Sequence, residues 1–463
     1  MEKAVGTPLW DFIRAYRDRN VLRLHMPGHK GAGETEALDL TEVQGLPPLY
    51  PAEGIVRESE DIAARIFGAG RTVYSAEGSS LCIRAMLCLV RKRAALRGIR
   101  PRILAGRNAH RSFLFAAGVL GMEVSWLRGE DLLTCRLSGA ELRAALAREA
   151  DPPAAVYLTS PDYLGNRADI RELARVCRGA GVPLLVDNAH GAYLRFLPED
   201  AHPLTLGADM TCDSAHKTLP VLTGGAYLQI SREADPFFAE QAEGAMALFA
   251  STSPSWLILQ SLDRCNALLA GDYRRQLADF AARTEALKDR LRARGYRLAG
   301  TEPLKITLEP RSRGYTGDDL HALLRRQGIE CEFSDPDELV MMLTPATGEA
   351  GLTRLEEALD RIPRREPLPE ARPSLPAPAP AMPLAEALLA PAERIPAEEA
   401  RGRILADPCV SCPPAVPILV SGERIGEEAL RCFAYYGIRS VSCVRESGAE
   451  GGRRETDGTD GLL

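Results

Sequence analysis

No apolar run among the 463 residues is long enough to span a bilayer, and none follows the opening Met1-Glu2-Lys3. Neither a membrane span nor a secretory leader is therefore expected. A basic excess is missing too: 57 Lys and Arg against 63 Asp and Glu leave a formal charge of -6, with both signs interspersed. That argues against nucleic acid as a partner, which requires a basic face. The 11 cysteines form no disulfide-like framework, and their number is odd. Free thiols in a reducing cytoplasm are the expectation. Cys409-Val410-Ser411-Cys412 has metal-ligand spacing, but no second Cys pair or Cys/His pair follows it, so no metal site is expected.

What remains is an ordinary globular composition, long enough for several domains. Residues 1–65 read as an N-terminal arm with one amphipathic helix, from about Pro8 to Arg19, and a Gly/His-rich turn from His25 to Gly31. Over 66–290, short apolar strands alternate with helices. Arg102 to Ala105, Ala155 to Leu158 and Pro183 to Val186 are strands, and a helix from about Ile170 to Ala180 stops at Gly181 before Pro183. That alternation predicts βαβ units and a mostly parallel sheet, an α/β fold. One long helical stretch, roughly Ser255 to Arg294, leads to a smaller α+β region, 291–362. The Pro/Ala/Glu-rich residues 363–395 read as a linker, 396–445 as a C-terminal α+β domain, and 446–463 as a disordered tail.

Five segments carry chemistry. Ser214-Ala215-His216-Lys217-Thr218 puts a lysine among hydroxyls and a histidine at a strand-to-loop junction, a setting for Schiff-base chemistry if the lysine is partly desolvated. A surface lysine in a polar turn is the plain alternative. Leu184-Leu185-Val186-Asp187 runs as a strand into Asn188-Ala189-His190-Gly191, so Asp187 points into the crevice at the end of a parallel strand. A buried carboxylate there keeps a pyridinium nitrogen protonated, as pyridoxal phosphate (PLP) requires; an N-cap is the competing reading. Asp187 precedes Lys217 by about thirty residues, room for one connection and the next strand. Gly78-Ser79-Ser80 opens a helix whose positive end suits phosphate, with hydroxyls from Ser79, Ser80 and Ser214. His110, after a strand, is placed to stack on a ring, and Thr159 to offer a hydroxyl to a phenolic oxygen. Taken singly, each of these three reads more readily as a plain loop or helix start. Three of only seven histidines, His110, His190 and His216, fall at predicted strand ends, which favours one shared site.

Together these segments resemble the Orn/Lys/Arg decarboxylase family of fold-type-I PLP enzymes, in particular its shorter members. The resemblance is carried by His25 to Gly31, Gly78-Ser79-Ser80, Arg107-Asn108-Ala109-His110, Thr159 to Gly165, Val186 to Ala192, Ser214 to Leu219, Thr252 to Ser255, Gly314 to Gly317 and Cys412 to Pro417. It implies a PLP-binding large domain with a mostly parallel sheet, a smaller α+β domain and a C-terminal α+β domain. It further implies Lys217 as the Schiff-base lysine, Asp187 as the ring-nitrogen partner, His110 as the stacking group, and Gly78, Ser79, Ser80 and Ser214 at the phosphate, with Thr159 at the cofactor. His190 and His216 would line the reacting face, with His216 returning a proton to the product. Asn188 stands where the family usually has Glu, and Pro47-Pro48 where acidic residues are common.

The expected function is decarboxylation of arginine, lysine or ornithine to an amine and CO2, in a cytoplasmic homodimer or higher homo-oligomer. Another PLP reaction on the same fold (transamination, aldol cleavage, elimination) and a non-catalytic PLP-binding regulator are the alternatives. Glu53 and Asp335 are candidates for the substrate's cationic end. Arg325 and Arg326 are expected on a solvated helix face rather than as a carboxylate clamp.

Overall fold

A computed structural model describes residues 5–128, 136–412 and 416–446. The tail from 447 on and Pro413-Pro414-Ala415 of the C-terminal motif lie outside the described residues.

Helix α1 (Pro8–Asp18) starts on Pro8, whose fixed φ suits the first turn, and buries Leu9, Ile13 and Tyr16 along one stripe. A second helix, α2 (Gly54–Phe67), follows where only one was expected before residue 66. Its apolar positions, Val56, Ile62, Ala63 and Phe67, are interleaved with charges that obscure the stripe. One of those charges, Glu60, is itself buried and pairs with Arg71 at 2.6 Å.

The large sheet is built from β1 (Arg71–Ser75), α3 (Gly78–Leu96), β2 (Arg102–Gly106), α4 (Arg111–Val119), β3 (Glu123–Leu127), α5 (Gly139–Arg148), β4 (Ala155–Thr159), α6 (Ile170–Gly179), β5 (Leu184–Asp187), β6 (Met210–Asp213), α7 (Ala215–Thr218) and β7 (Ala226–Ile230). Strand order is β1-β7-β6-β5-β4-β2-β3. The neighbours from β3 to β6 are parallel, and β7 runs against both β6 and β1. Alternation along β5 decides what each face receives. Leu184 and Val186 pack with Leu142 and Leu173 of α5 and α6. Leu185 packs with Phe113 and Met86 of α4 and α3. Asp187 shares that second face, and so does Cys212 of β6.

Helix α8 (Pro236–Ala247) packs on α3. The expected single helix from Ser255 to Arg294 is two, α9 (Trp256–Ala270) and α10 (Tyr273–Ala293), because Gly271 leaves the helical region at φ -90, ψ -130. Next come β8 (Leu298–Ala299), β9 (Lys305–Leu308), α11 (Gly317–Arg326), β10 (Phe333–Ser334), β11 (Leu339–Met342) and α12 (Gly348–Asp360), whose strands form an antiparallel sheet in the order β10-β11-β9-β8. Helix α13 (Leu384–Leu389) lies against α4. Two antiparallel pairs close the chain: β12 (Ala392–Pro396) with β15 (Ser440–Val444), and β13 (Cys409–Cys412) with β14 (Val416–Val420), joined by α14 (Glu427–Tyr435). The α/β architecture agrees with the expectation from strand and helix alternation.

Candidate active site

The register aligns Thr159, Asp187 and Cys212 across the ends of β4, β5 and β6. Asp187 is buried. Its carboxylate accepts from the Tyr157 hydroxyl at 3.1 Å, the Ala189 N–H at 3.1 Å and the Cys212 thiol at 3.4 Å. Lys217 lies not in an open loop but in the single helical turn α7. Burial lowers its pKa, and the negative charges of Asp187 and Glu332 oppose that shift.

The three histidines converge, each in a different way. His190 is buried, with Nε2 3.0 Å from Lys217 Nζ. Burial first, then the charges of Lys305 and Lys217, hold it well below the usual histidine range, so it is neutral near pH 7. His110 caps α4, its Nδ1 accepting the Ser112 N–H at 3.2 Å, and burial lowers its pKa against the pull of Asp187. His216 sets its Nδ1 3.0 Å from the Gly225 carbonyl, so Nδ1 is the donor there. Burial again is the main cause of its lowered pKa.

The other end of the crevice is the N-terminus of α3. Gly78 opens that helix at φ +70, a conformation L side chains rarely adopt, and no side chain caps it. Ser214 Oγ donates to Ser79 Oγ at 2.8 Å, and Ser112 Oγ donates to Ser80 Oγ at 2.8 Å. Uncapped amides, a helix dipole and clustered hydroxyls make an anion site. Thr159 Oγ1 is turned to the Asn108 carbonyl at 3.3 Å, which ties β4 to the His110 loop.

Asn188 has a physical reason. Its amide donates to Asp213 Oδ1 at 2.5 Å, and Asp213 also faces His202 Nε2 at 3.1 Å. All three residues are buried. A glutamate at 188 would set a second carboxylate beside Asp213, whereas the amide offers a donor.

Sequence reading missed two groups at the site. Lys305, on β9, is 1% exposed and lies 3.1 Å from His190 Nδ1. A lysine inside the apolar run Leu304 to Leu308 was the available signal. Glu332 accepts the Tyr163 hydroxyl at 2.7 Å, and Tyr163 packs edge-on against His190. No local pattern pairs residues 163 and 332. Glu53 and Asp335 are the acidic candidates for the substrate's cationic end. Glu53 is exposed ahead of α2, and Asp335 accepts the N–H groups of Asp337 and Glu338 in a cluster paired with Arg372. That acidic trio is the one group among the described residues with metal-like spacing. Arg325 and Arg326 are exposed, and Arg325 pairs with Glu330 at 2.9 Å.

Residues 7–309 match the Orn/Lys/Arg decarboxylase major domain, and residues 371–442 match that family's C-terminal domain. An arginine decarboxylase of Bacillus subtilis (strain 168) is 30% identical over 91% of this chain and 92% of its own. One of Halalkalibacterium halodurans is 30% identical over 93% of each. Among solved structures, the constitutive lysine decarboxylase of E. coli superposes with a TM-score of 0.75 at 17% identity, over 95% of this chain and 82% of its own.

Proposed function

The chain belongs to the Orn/Lys/Arg decarboxylase family, PLP-dependent decarboxylases of basic amino acids, and from that premise we propose that it acts on arginine with PLP held on Lys217. The observation that carries this reading is the half-buried Lys217 amine, 3.0 Å from His190 Nε2 and within the field of the buried Asp187 carboxylate at the parallel strand ends.

The donor set fits the cofactor. Lys217 would hold it covalently through Nζ, and Asp187 would pair with its ring nitrogen. His110 would lie against the ring, and Ser79, Ser80 and Ser214 with the α3 amides would take its phosphate. Thr159 would act at one remove, by fixing the Asn108 carbonyl. When bound, PLP supplies an electron sink for the pair released as CO2 departs.

The protein's own groups supply the rest. The three donors around Asp187 fix its carboxylate in orientation. His190, neutral, adds no positive charge beside the substrate carboxylate. Arg325 and Arg326, both exposed, would not clamp that carboxylate, so neither opposes its loss as neutral CO2. His216, with Nδ1–H held by the Gly225 carbonyl, leaves Nε2 free to take up a proton from solvent and then deliver that proton to the substrate α-carbon. Glu332 stands where it attracts positive charge and would receive the guanidinium.

Assembly belongs to the same reading. Leu22, Leu24 and Met26 of the arm are 79%, 84% and 70% exposed, a surface that a second copy would cover. No described helix is long and apolar enough to cross a membrane. Cys82, Cys88, Cys177 and Cys212 are among nine free cysteines in the described residues, which suits a cytoplasmic setting.

Incubation with arginine, lysine or ornithine labelled at the carboxyl carbon tests the proposal. Labelled CO2 with a matching amount of agmatine from arginine is expected. Stoichiometric keto acid, or ammonia without CO2, would overturn it in favour of another PLP reaction. No turnover of any amino acid would point to a PLP-binding regulator.

A further inference from the structure

Lys305 is a buried lysine outside the groups assigned to cofactor and substrate. It enters from β9, in the smaller antiparallel sheet, while Lys217 enters from α7 beside the large one. Between them stands one imidazole. Lys305 Nζ is 3.1 Å from His190 Nδ1, and Lys217 Nζ is 3.0 Å from His190 Nε2.

Both lysines cannot be donors to this ring. A neutral imidazole has one N–H and one lone pair, while an ammonium has three N–H and no acceptor. One lysine must therefore be the free amine. The surroundings decide which. Lys305 Nζ donates to the Asp162 carbonyl at 3.2 Å and faces His190 Nδ1 at 3.1 Å, and the Glu302 carboxylate, Oε2 at 3.0 Å, is its ion-pair partner. Lys305 and Glu302 are 1% and 2% exposed, so their ion pair is sheltered from water, and Tyr193 donates to the other Glu302 oxygen at 3.1 Å. Among the described residues, no carboxylate is in ion-pair contact with Lys217, and Asp187 and Glu332 act on it only through their charge.

With Nδ1 occupied as an acceptor, the proton of neutral His190 sits on Nε2 and points at Lys217 Nζ, which must accept it with a lone pair. We infer that Lys305 is a positioning residue: it fixes His190 as the Nε2–H tautomer and so holds Lys217 as the free amine, the form able to bond to a carbonyl carbon. The inference rests on the reading of Lys217 as the cofactor lysine. It adds that the charge state of Lys217 is set from the smaller sheet, through the ring.

The other groups facing His190 are compatible with this order. His216 from α7 and His110 at the start of α4 add to the positive surroundings, and Tyr163, from the loop after β4, presents only its ring. Glu332 and Asp187 act on Lys217 in the opposite sense to burial.

The test is trace acetylation of the full-length, cofactor-stripped chain across pH, with the Lys217 peptide quantified by mass spectrometry. In the wild type Lys217 is expected to react at a pH well below an ordinary lysine. Lys305→Met should move that profile upward by at least a pH unit, about a tenfold loss of reactivity at neutral pH. Lys305→Arg, which keeps the charge and the donors, should restore most of it. Since Lys305→Met leaves Glu302 buried without its partner, the Lys305→Met/Glu302→Gln pair serves as the folded control, with the same expected shift. His190→Asn separates a relay from a through-space charge effect. If Lys305 acts through the ring, His190→Asn gives the same shift and Lys305→Met adds nothing to it. Additive shifts, or an unmoved Lys217 profile in Lys305→Met, would overturn the inference. Borohydride fixation of PLP to wild-type protein is read in parallel. A label away from Lys217 refutes the cofactor assignment, whereas a label on Lys217 with an unmoved profile refutes only the role of Lys305.

Discussion

Arg107 and Glu423, 316 positions apart, meet as a two-pronged ion pair, Nη1 to Oε1 at 2.9 Å and Nη2 to Oε2 at 2.8 Å. Both are buried, and the guanidinium lies over the Trp126 ring at 5.1 Å. Arg107 opens the loop that ends in His110, and Glu423 follows β14 and also accepts the Val420 N–H at 2.9 Å. The C-terminal region thus grips the loop that presents His110 to the crevice.

Removing the carboxylate should therefore act on both stability and site. Glu423→Ala strands a buried guanidinium, for which about 3–5 kcal/mol is typical. The expected result is a lower midpoint in denaturant unfolding, with Glu423→Gln losing less. An unchanged midpoint for Glu423→Ala would show that the pair is not structural.

Asp187→Asn replaces an acceptor-only group by an amide whose NH2 faces donors from Tyr157, Cys212 and Ala189. PLP should still bind. A lost hydrogen bond to a charged group is worth ~1.5–3 kcal/mol, so turnover should fall roughly ten- to a hundredfold or more. Steady-state kinetics on the reconstituted variant checks this, and near-normal turnover would remove Asp187 from the ring-nitrogen position.

How much of this was legible beforehand differs by residue. Asp187 was readable because it ends a short apolar strand in a βαβ pattern, where alternation along Leu184 to Asp187 sets the face, and Lys217 because it sits among hydroxyls and a histidine about thirty residues further on. Lys305, Glu332 and Glu423 were not readable, because their meaning lies in contacts with His190, Tyr163 and Arg107 across more than a hundred residues. Helix α2 was missed because Glu60 and Ser59, though polar, are buried and paired, which breaks the apolar stripe. The break between α9 and α10 turned on Gly271 leaving helical geometry.

Glu332→Gln should mainly affect substrate binding. An exposed ion pair is worth up to about 1 kcal/mol, and one partly desolvated by substrate somewhat more. KM for arginine should rise several-fold, with kcat changed less. Equal loss in kcat and kcat/KM, with KM unmoved, would place Glu332 elsewhere in the reaction.

His216 ties stability to pH. Its folded pKa is lowered, chiefly by burial, so the unfolded chain takes up the proton first as pH falls through about 6.5. Stability is then lost from about 6.5 down to the folded value, by at most about 1.4 kcal/mol per pH unit for one histidine. Buried carboxyls such as Asp162, pushed up to about 6 by desolvation, act with the opposite sign. The measurement is therefore the difference between wild type and His216→Asn in denaturant unfolding at several pH values. The variant should lose less stability on acidification. Parallel curves would contradict the assignment.

The most direct test is borohydride reduction of the PLP-loaded protein followed by peptide mass spectrometry. A pyridoxyl phosphate adduct on Lys217 that is absent from Lys217→Ala is expected. An adduct on another lysine, Lys305 included, with Lys217 unmodified would contradict it.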